Sequence, residues 1–344
     1  MKEINVLSLF DGMSCGQVAL EKAGFKVKNY YASEIDKYAI KVCKDNYPKT
    51  IHLGDVTKIN YTNLGLEIDN SHSSMRVIES KIDLLIGGSP CQGFSFAGAQ
   101  LNFKDPRSIL FFEFVRILKE IRVNNPNVLF LLENVMMKKQ YQDVISEHLS
   151  VEPISINSSL VSGQNRKRLY WTNIQGVDQP ADKGIFIEDI LLDSSLIPVI
   201  KNHGELIYKP YKSQCLDANY FKGADNHGQR TGCLQVGVAE INGHDVLKRV
   251  YSTQYKSPTL TAVCGGNQER KIAVDSVRWR KLLPIECERL QTVPDNYTKC
   301  VSSSQRYKML GNGWTVDVIA HIFSKIDFDK NVVPGINYKK TLFD

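Results

Sequence analysis

The sequence predicts an α/β fold: a Rossmann-like, mostly parallel sheet flanked by helices, with a smaller loop-rich lobe attached. Three observations carry this prediction. Short apolar runs alternate with helical patterns over the first 175 residues, as strands joined by crossover helices require. From about 176 to 275 helical periodicity fades, and glycines, asparagines and isolated aromatics such as Tyr208, Tyr211, Tyr220 and Phe221 take over. Helical patterns then return at Pro284–Leu290 and Thr315–Ile326. The expected layout is therefore one domain at 1–175, completed by 276–329, a second at 176–275, and a tail at 330–344 without a clear pattern.

The elements follow in order. Ile4–Phe10 is an apolar run that reads as the first strand, and Gln17–Ala23 as a helix closed by Gly24, a residue that adopts the left-handed C-cap without penalty. Tyr30–Ser33 is a second strand and Lys37–Asn46 a second helix. Ile82–Ile86, ending in two glycines, is a buried strand entering a tight turn. Asp105-Pro106 supplies an N-cap with proline at the first helical position. Leu110, Phe114, Ile117, Leu118 and Ile121 then share one face of a helix. Val128–Leu132 is another buried strand and Lys138–Leu149 another helix.

Composition sets limits on function. The chain has 344 residues, 42% hydrophobic and 23% charged, an ordinary globular balance. No apolar stretch approaches the length of a membrane span, and MKEINVLSLF lacks the apolar core and cleavage site of a signal peptide. A cytoplasmic protein with no membrane partner is expected. The eight cysteines never stand at the C-x₂₋₄-C spacing of a zinc site, so no metal is expected. All but Cys91 are read as small buried hydrophobes. The net charge is +6, and the third hundred residues carry most of the excess. That balance fits either a polyanionic partner or a solvated mixed-charge surface.

Four local patterns bear chemistry. Ser8–Gly16, SLFDGMSCG, follows the first strand and opens a helix. Its glycines Gly12 and Gly16 permit a tight turn and close approach of a ligand. Glu34 ends the second strand, where an acid accepts hydrogen bonds from ribose hydroxyls. Gly54-Asp55 is placed to end a third strand, with Asp55 free to receive an adenine amino group. Turn, acid and second acid together point to an adenosine-containing cofactor, either NAD or S-adenosylmethionine. Cys91, in GGSPCQGFS, stands on a turn stiffened by Pro90 and is placed to act as a nucleophile, although a free cysteine is more often core. Glu133, after the Val128–Leu132 strand, is a partly desolvated carboxyl at the ligand end of the sheet and a candidate general acid. Arg166 and Arg168 alternate along an extended segment, share a face, and are able to hold an oxygen and a carboxylate.

In their order these strings resemble the motifs of the cytosine-5 DNA methyltransferases, over nearly the whole chain. SLFDGMSCG, ASEID (32–36) and GDV (54–56) are similar to the family's three cofactor motifs. GGSPCQGFS is similar to the nucleophile motif, ENV (133–135) to the acid motif and QNRKR (164–168) to the paired-arginine motif. RKLLPIECERLQTVPD (280–295) resembles the motif that closes the variable region, and LGNGWTVDVI (310–319) the last motif. Four positions depart from the usual bacterial pattern. Ser14 replaces a glycine, Ser89 stands before Pro-Cys, and Gly313-Trp314 replaces Ser-Val; FDGxxxG, GGSPC and the Trp string resemble the eukaryotic de novo branch.

The resemblance implies a class I methyltransferase fold and S-adenosylmethionine as methyl donor. It also implies double-stranded DNA as substrate and a monomeric or weakly dimeric enzyme. Residues 176–275 become the target-recognition domain. Cys91 would attack carbon 6 of a flipped cytosine, and Glu133 would serve ring nitrogen 3. Arg168 would bind the exocyclic oxygen, while Arg166 would fix Glu133 or the backbone near Cys91. Phe10, Asp11, Gly12, Gly16, Glu34, Ile35, Asp55, Val56, Leu110, Asn312, Gly313 and Trp314 would surround the cofactor. Three rivals stand beside this reading: the RNA-modifying branch, whose Cys-Phe-Thr string has only Cys215-Leu216-Asp217 as a counterpart; an NAD oxidoreductase; and a DNA-binding regulator without activity.

Overall fold

The computed structural model describes residues 3–68, 76–78, 81–89, 109–192, 203–207, 235–262, 267–274 and 278–328. Cys91, the Asp105-Pro106 cap, Gly-rich 208–234, Cys215-Leu216-Asp217 and the 330–344 tail lie outside the described residues. The chain forms two compact units, Met1–Ile156 with Lys167–Gln179 and Ile319–Asp344, and Asn157–Arg166 with Pro180–Val318.

From the N-terminus the chain runs β1 (Glu3–Leu9), α1 (Cys15–Lys22), β2 (Lys26–Ser33), α2 (Lys37–Asn46) and β3 (Ile51–His52). It continues through β4 (Ile59–Thr62), β5 (Gly65–Ile68), β6 (Arg76–Ile78), β7 (Leu84–Gly88), α3 (Ile109–Asn124), β8 (Leu129–Val135) and α4 (Lys139–Leu149). β9 (Ile154–Asn157), β10 (Gln164–Asn165) and β11 (Lys167–Thr172) follow. The main sheet has seven strands in the order β3-β2-β1-β7-β8-β11-β9. Neighbours from β3 to β8 are parallel, and β11 runs antiparallel to β8. The core strands are buried on both faces, as helices on either side of a parallel sheet demand: Ile4, Val6, Leu7, Leu9, Leu84–Ile86 and Leu129–Leu132 are all sequestered. Gly87 is required there, because a Cβ would meet the Leu9 carbonyl oxygen at 3.0 Å and the Phe114 ring at 3.1 Å. Strand order reverses between β1 and β7, so the ligand crevice lies at the carboxyl ends of these two strands.

Several boundaries differ from the sequence reading. β2 begins at Lys26, four residues earlier than the apolar run. β8 extends through Val135, so Glu133 lies within the strand and not after it. Pairing explains this: Glu133, Asn134 and Val135 face Tyr170, Leu169 and Arg168 on β11, and hydrogen bonds carry a strand past the point where apolar residues stop. The third strand ends at His52, before Gly54-Asp55. A three-stranded antiparallel sheet, β4-β5-β6, was not anticipated. It docks on α3 through Arg116, whose guanidinium donates to the Ile59 carbonyl at 2.7 Å and pairs with Glu113 and Glu120.

The second unit contains β12 (His203–Ile207), β13 (Gln235–Ala239), α5 (Asp245–Lys248), β14 (Arg249–Tyr251), β15 (Ser257–Pro258), β16 (Lys271–Ala273) and β17 (Arg278–Lys281). α6 (Pro284–Leu290) and α7 (Ser303–Asn312) also belong to it, and α8 (Val316–Phe323) follows. Where the sequence suggested loops, β12, β13, β14, β16 and β17 close into a barrel. Its strands are of three to five residues, too short for alternation to show. α7 was also missed, because its polar sequence SSQRYKMLGN has little apolar face.

Basic side chains hold this unit's irregular backbone. Lys271, buried, donates to the carbonyls of Leu247, Asn267 and Glu269 at 2.8–3.0 Å. Arg270 reaches Thr259, Arg289 reaches Ile190 and Leu191, and Lys256 reaches Ser159 and Ile185. Part of the positive excess is therefore spent inside the fold. Glu286, fully buried, accepts both guanidinium arms of Arg280 at 2.7 Å and the N–H groups of Leu283 and Leu192. Removing one partner of such a pair strands the other charge in the interior. Glu286→Ala should lower unfolding free energy by about 3–5 kcal/mol, read from the urea midpoint.

Candidate active site

The first unit gathers its polar residues at the carboxyl ends of β1, β2, β7 and β8. After β1 the chain makes a turn in which Phe10, Gly12 and Ser14 have φ of 57°, 59° and 63°. Left-handed backbone costs a non-glycine residue roughly 1–2 kcal/mol, so the turn is held by its surroundings. The Asp11 N–H donates to the Ser33 carbonyl at 3.0 Å. Tyr30 donates its hydroxyl to Asp11 Oδ1 at 2.7 Å, and Ser14 donates to Asp11 Oδ2. The Ser14 hydroxyl also lies 3.0 Å from the Cys43 sulfur. Ser14 thus stands where glycine would be unstrained, and its side chain compensates by tying the turn together. Burial pushes the Asp11 carboxyl up to about 6, against hydrogen bonds from Ser14, Ser8 and Tyr30 that hold it down; the nearby Glu34 charge adds to the rise.

Glu34 anchors the same turn. Its Oε2 accepts from the Gly12 N–H, and its Oε1 from the N–H groups of Ile35 and Asp36, each at 2.8 Å. A carboxylate has about four acceptor positions, so Glu34 keeps capacity for a further donor. Ile35, immediately after it, is 76% exposed, an apolar side chain with nothing covering it at the rim. Asp55 is not free as expected: it caps a 3₁₀ turn, and Oδ1 accepts from the Thr57 N–H and hydroxyl at 3.0 and 2.9 Å. Its Oδ2 has no partner among the described residues. Val56 is buried in the main core, Leu110 and Phe10 pack on that core part-buried, and Gly16 is buried in α1. A pinned acid, a bare apolar side chain and a carboxylate oxygen left over suit a ribose and a purine with an amino group.

On the far side of the crevice, Glu133 Oε1 lies 3.2 Å from Arg168 Nε, with both side chains little exposed. Arg168 also donates to the Lys167 carbonyl at 2.9 Å. Its third nitrogen, Nη2, and the Glu133 Oε2 have no partner among the described residues. Register places Gly88 of β7 opposite Glu133, so the strand that leads to Cys91 runs beside the acid.

The two arginines hold different partners among the described residues. The extended segment breaks at Arg166: β10 pairs with β15, whereas β11 pairs with β8, so alternation does not carry across the break. Arg166 belongs to the second unit and is buried. It donates to the carbonyls of Leu260, Gly311 and Gly313 at 3.1, 3.1 and 3.0 Å. Gly311 cannot carry a side chain, because a Cβ would sit 2.2 Å from the Thr261 oxygen. Asn312 ends α7 exposed, Gly313 contributes through its backbone, and Trp314 is half-buried. Gln164 and Gln291, both buried and not singled out in the sequence, complete this hub: Gln291 donates to the Leu310 carbonyl at 2.6 Å and Gln164 Oε1 accepts from the Leu260 N–H at 2.8 Å. Their place in the QNRKR and ERLQ strings was the available signal. Among the described cysteines, Cys15, Cys43 and Cys287 are buried, but Cys300 is half-buried, unlike the core thiol expected.

A seven-stranded sheet with β11 antiparallel to β8, a glycine turn after β1 and an acid after β2 define an α/β enzyme class that binds an adenosine-containing cofactor. The description of C-5 cytosine-specific DNA methylase matches residues 4–327, and the chain belongs to that family. Its activity is the family's, methylation of DNA cytosine at carbon 5. It is 28% identical to the type II methyltransferase M.HhaI of Haemophilus parahaemolyticus over 96% of both chains. It is 30% identical to M1.ScrFI of Lactococcus lactis subsp. cremoris, over 93% of this chain and 77% of that one. A phage protein, the orphan methyltransferase M.Rho11sI of Bacillus phage rho11s, is 27% identical over 80% of this chain and 70% of its own length. In fold, the chain resembles a prophage-encoded DNA modification methyltransferase (E. coli) with a TM-score of 0.62 at 21% identity, covering 94% of this chain and 98% of that one. Among the described residues no helix is long and apolar enough to cross a membrane, and no group of acids, histidines and cysteines is arranged for a metal.

The Asp11 environment yields a pH dependence. Its folded value of about 6 exceeds its ordinary 3.8, so between these limits the folded state holds the proton more tightly. This contribution is complete below pH 3.8 and is lost as pH rises through 6. Urea midpoints of wild type should therefore fall, relative to Asp11→Asn, as pH is raised from 4 to 6.

Proposed function

We propose that the chain methylates cytosine in double-stranded DNA, within a specific sequence, through a covalent bond from Cys91 to carbon 6 of a base turned out of the duplex. The observation that carries this reading is the Glu133–Arg168 pair at 3.2 Å, with Glu133 on the strand that adjoins the one leading to GGSPC and Arg168 on the strand beyond it. Phe10, Gly12, Glu34, Ile35, Asp55 and Leu110 would hold S-adenosylmethionine, with Asp11 and Gly16 shaping the turn and Val56 supporting it from below. Asn312, Gly313 and Trp314 are assigned to the cofactor by the family resemblance alone. S-adenosylmethionine supplies an electrophilic methyl group. The Cys91 thiolate adds to carbon 6, and Glu133 donates toward ring nitrogen 3 as charge builds there. Arg168 keeps Glu133 in place through Nε and offers Nη2 to the exocyclic oxygen. Once carbon 5 is methylated, loss of its proton returns the electron pair that expels the Cys91 sulfur. Arg166 supports the backbone at Gly311 and Gly313, beside the role at Glu133 or at the backbone near Cys91 that the resemblance implies.

Extruding the base costs a few kcal/mol, which contacts to phosphates offset. Residues 176–275 are assigned to reading the sequence, using those basic and amide side chains that do not hold backbone carbonyls. The relatives of bacteria and phage favour a role in restriction–modification or in phage DNA modification; a cytoplasmic enzyme acting as a monomer or weak dimer completes the reading.

Bisulfite sequencing of DNA from cells expressing the chain should show protected cytosines in one sequence context; unmodified DNA beside folded, donor-loaded protein would refute the proposal. Cys91→Ala should abolish methyl transfer and adduct formation with 5-fluorocytosine while leaving duplex binding intact. Glu133→Gln should slow single-turnover methylation by about 10²–10⁴-fold.

A further inference from the structure

Ser89 lies between Gly88, the last residue of β7, and Pro90-Cys91. Asn134 follows Glu133 on β8. The register that sets Gly88 opposite Glu133 brings the next residues together as well: Asn134 Nδ2 donates to Ser89 Oγ at 3.2 Å. Both residues are interior, 4% and 1% exposed. The Asn134 amide is fixed at its other end, where Oδ1 accepts from the Val135 N–H at 2.8 Å. It therefore has one orientation, with its donors turned toward β7. Ile86 and Leu132, just below on the same two strands, are fully buried. In such surroundings an amide deprived of its acceptor stays unsatisfied and costly.

We propose that Ser89 is a positioning residue for the methylation reaction. Its hydroxyl, latched to Asn134, fixes the point at which the chain leaves β7, and so sets the thiol of Cys91 relative to Glu133. In sequence a single residue, Pro90, separates the latch from the nucleophile. The step involves no bond making: the contribution is orientation of the attacking group. A residue without a hydroxyl cannot make this contact, which gives the unusual serine at 89 a physical purpose. The proposal rests on Cys91 being the nucleophile.

The test isolates the addition step. Reversible attack at carbon 6 makes carbon 5 basic, so it takes up a solvent proton and releases its own before the sulfur departs. Tritium release from duplex DNA labelled at cytosine carbon 5, without methyl donor, reports this step alone. Wild type, Ser89→Ala, Ser89→Thr, Asn134→Ala and the Ser89→Ala/Asn134→Ala double variant would be compared, with kcat and KM for DNA, duplex affinity and Tm measured in parallel. Ser89→Ala should slow tritium release and kcat roughly ten- to a hundredfold, with KM for DNA and duplex affinity unchanged. Ser89→Thr should recover most of the rate. The double variant should be no slower than the slower single one, as for two residues acting as a unit. Wild-type release by Ser89→Ala, or losses that multiply in the double variant, would overturn the latch alone. Absence of release and of a 5-fluorocytosine adduct in wild type would overturn the nucleophile and the latch together.

Discussion

A parallel sheet covered on both faces leaves polar side chains no place except the ends of its strands. Here that constraint is severe: β1, β7 and β8 are buried along almost their whole lengths. The reversal of strand order between β1 and β7 opens a crevice at their carboxyl ends, and the chemistry of the first unit is collected there. Asp11 and Gly12 follow β1, Glu34 follows β2, Ser89 follows β7, and Glu133 and Asn134 close β8. The antiparallel β11 then returns along β8 and delivers Arg168 to Glu133. Each residue sits where it does because a neighbouring strand holds it in register.

The turn after β1 shows what such a site demands locally. Three residues in left-handed backbone are tolerated because Asp11 and Glu34 bind the turn from two sides. Phe10 has no side-chain hydrogen bond to repay its conformation and depends on packing against the core. Strain held in this way is typical of ligand sites. Ser14 reaches a glycine-like conformation by another route, replacing freedom of the backbone with a hydroxyl tied to the half-buried Asp11 carboxylate.

The second unit meets a different constraint. Its barrel strands are short and its connections long, so many carbonyls lack backbone donors. Cations with several donors meet the need: Arg166 and Lys271 each serve three carbonyls. A positive balance in such a region is partly architectural, and only what remains at the surface is available for a polyanion. The same logic separates Arg166 from Arg168. Two positions apart in sequence, they sit on either side of a strand break, one serving backbone in the second unit and the other serving an acid in the first.

The sequence by itself determined the α/β class, the order of the family's strings and the place of Glu34 just after β2, because apolar runs, glycines and spacing are local signals. It also marked Ser14, Ser89 and Gly313 as unusual without saying why. Tertiary structure alone decided what those residues touch: Ser14 its carboxylate, Ser89 its amide, and Gly313 an arginine far away in sequence. It also revealed the barrel, β4-β5-β6 and the separate duties of Arg166 and Arg168. These depend on pairing between distant segments, and hydrogen-bond partners brought together by folding leave no periodic trace in the chain.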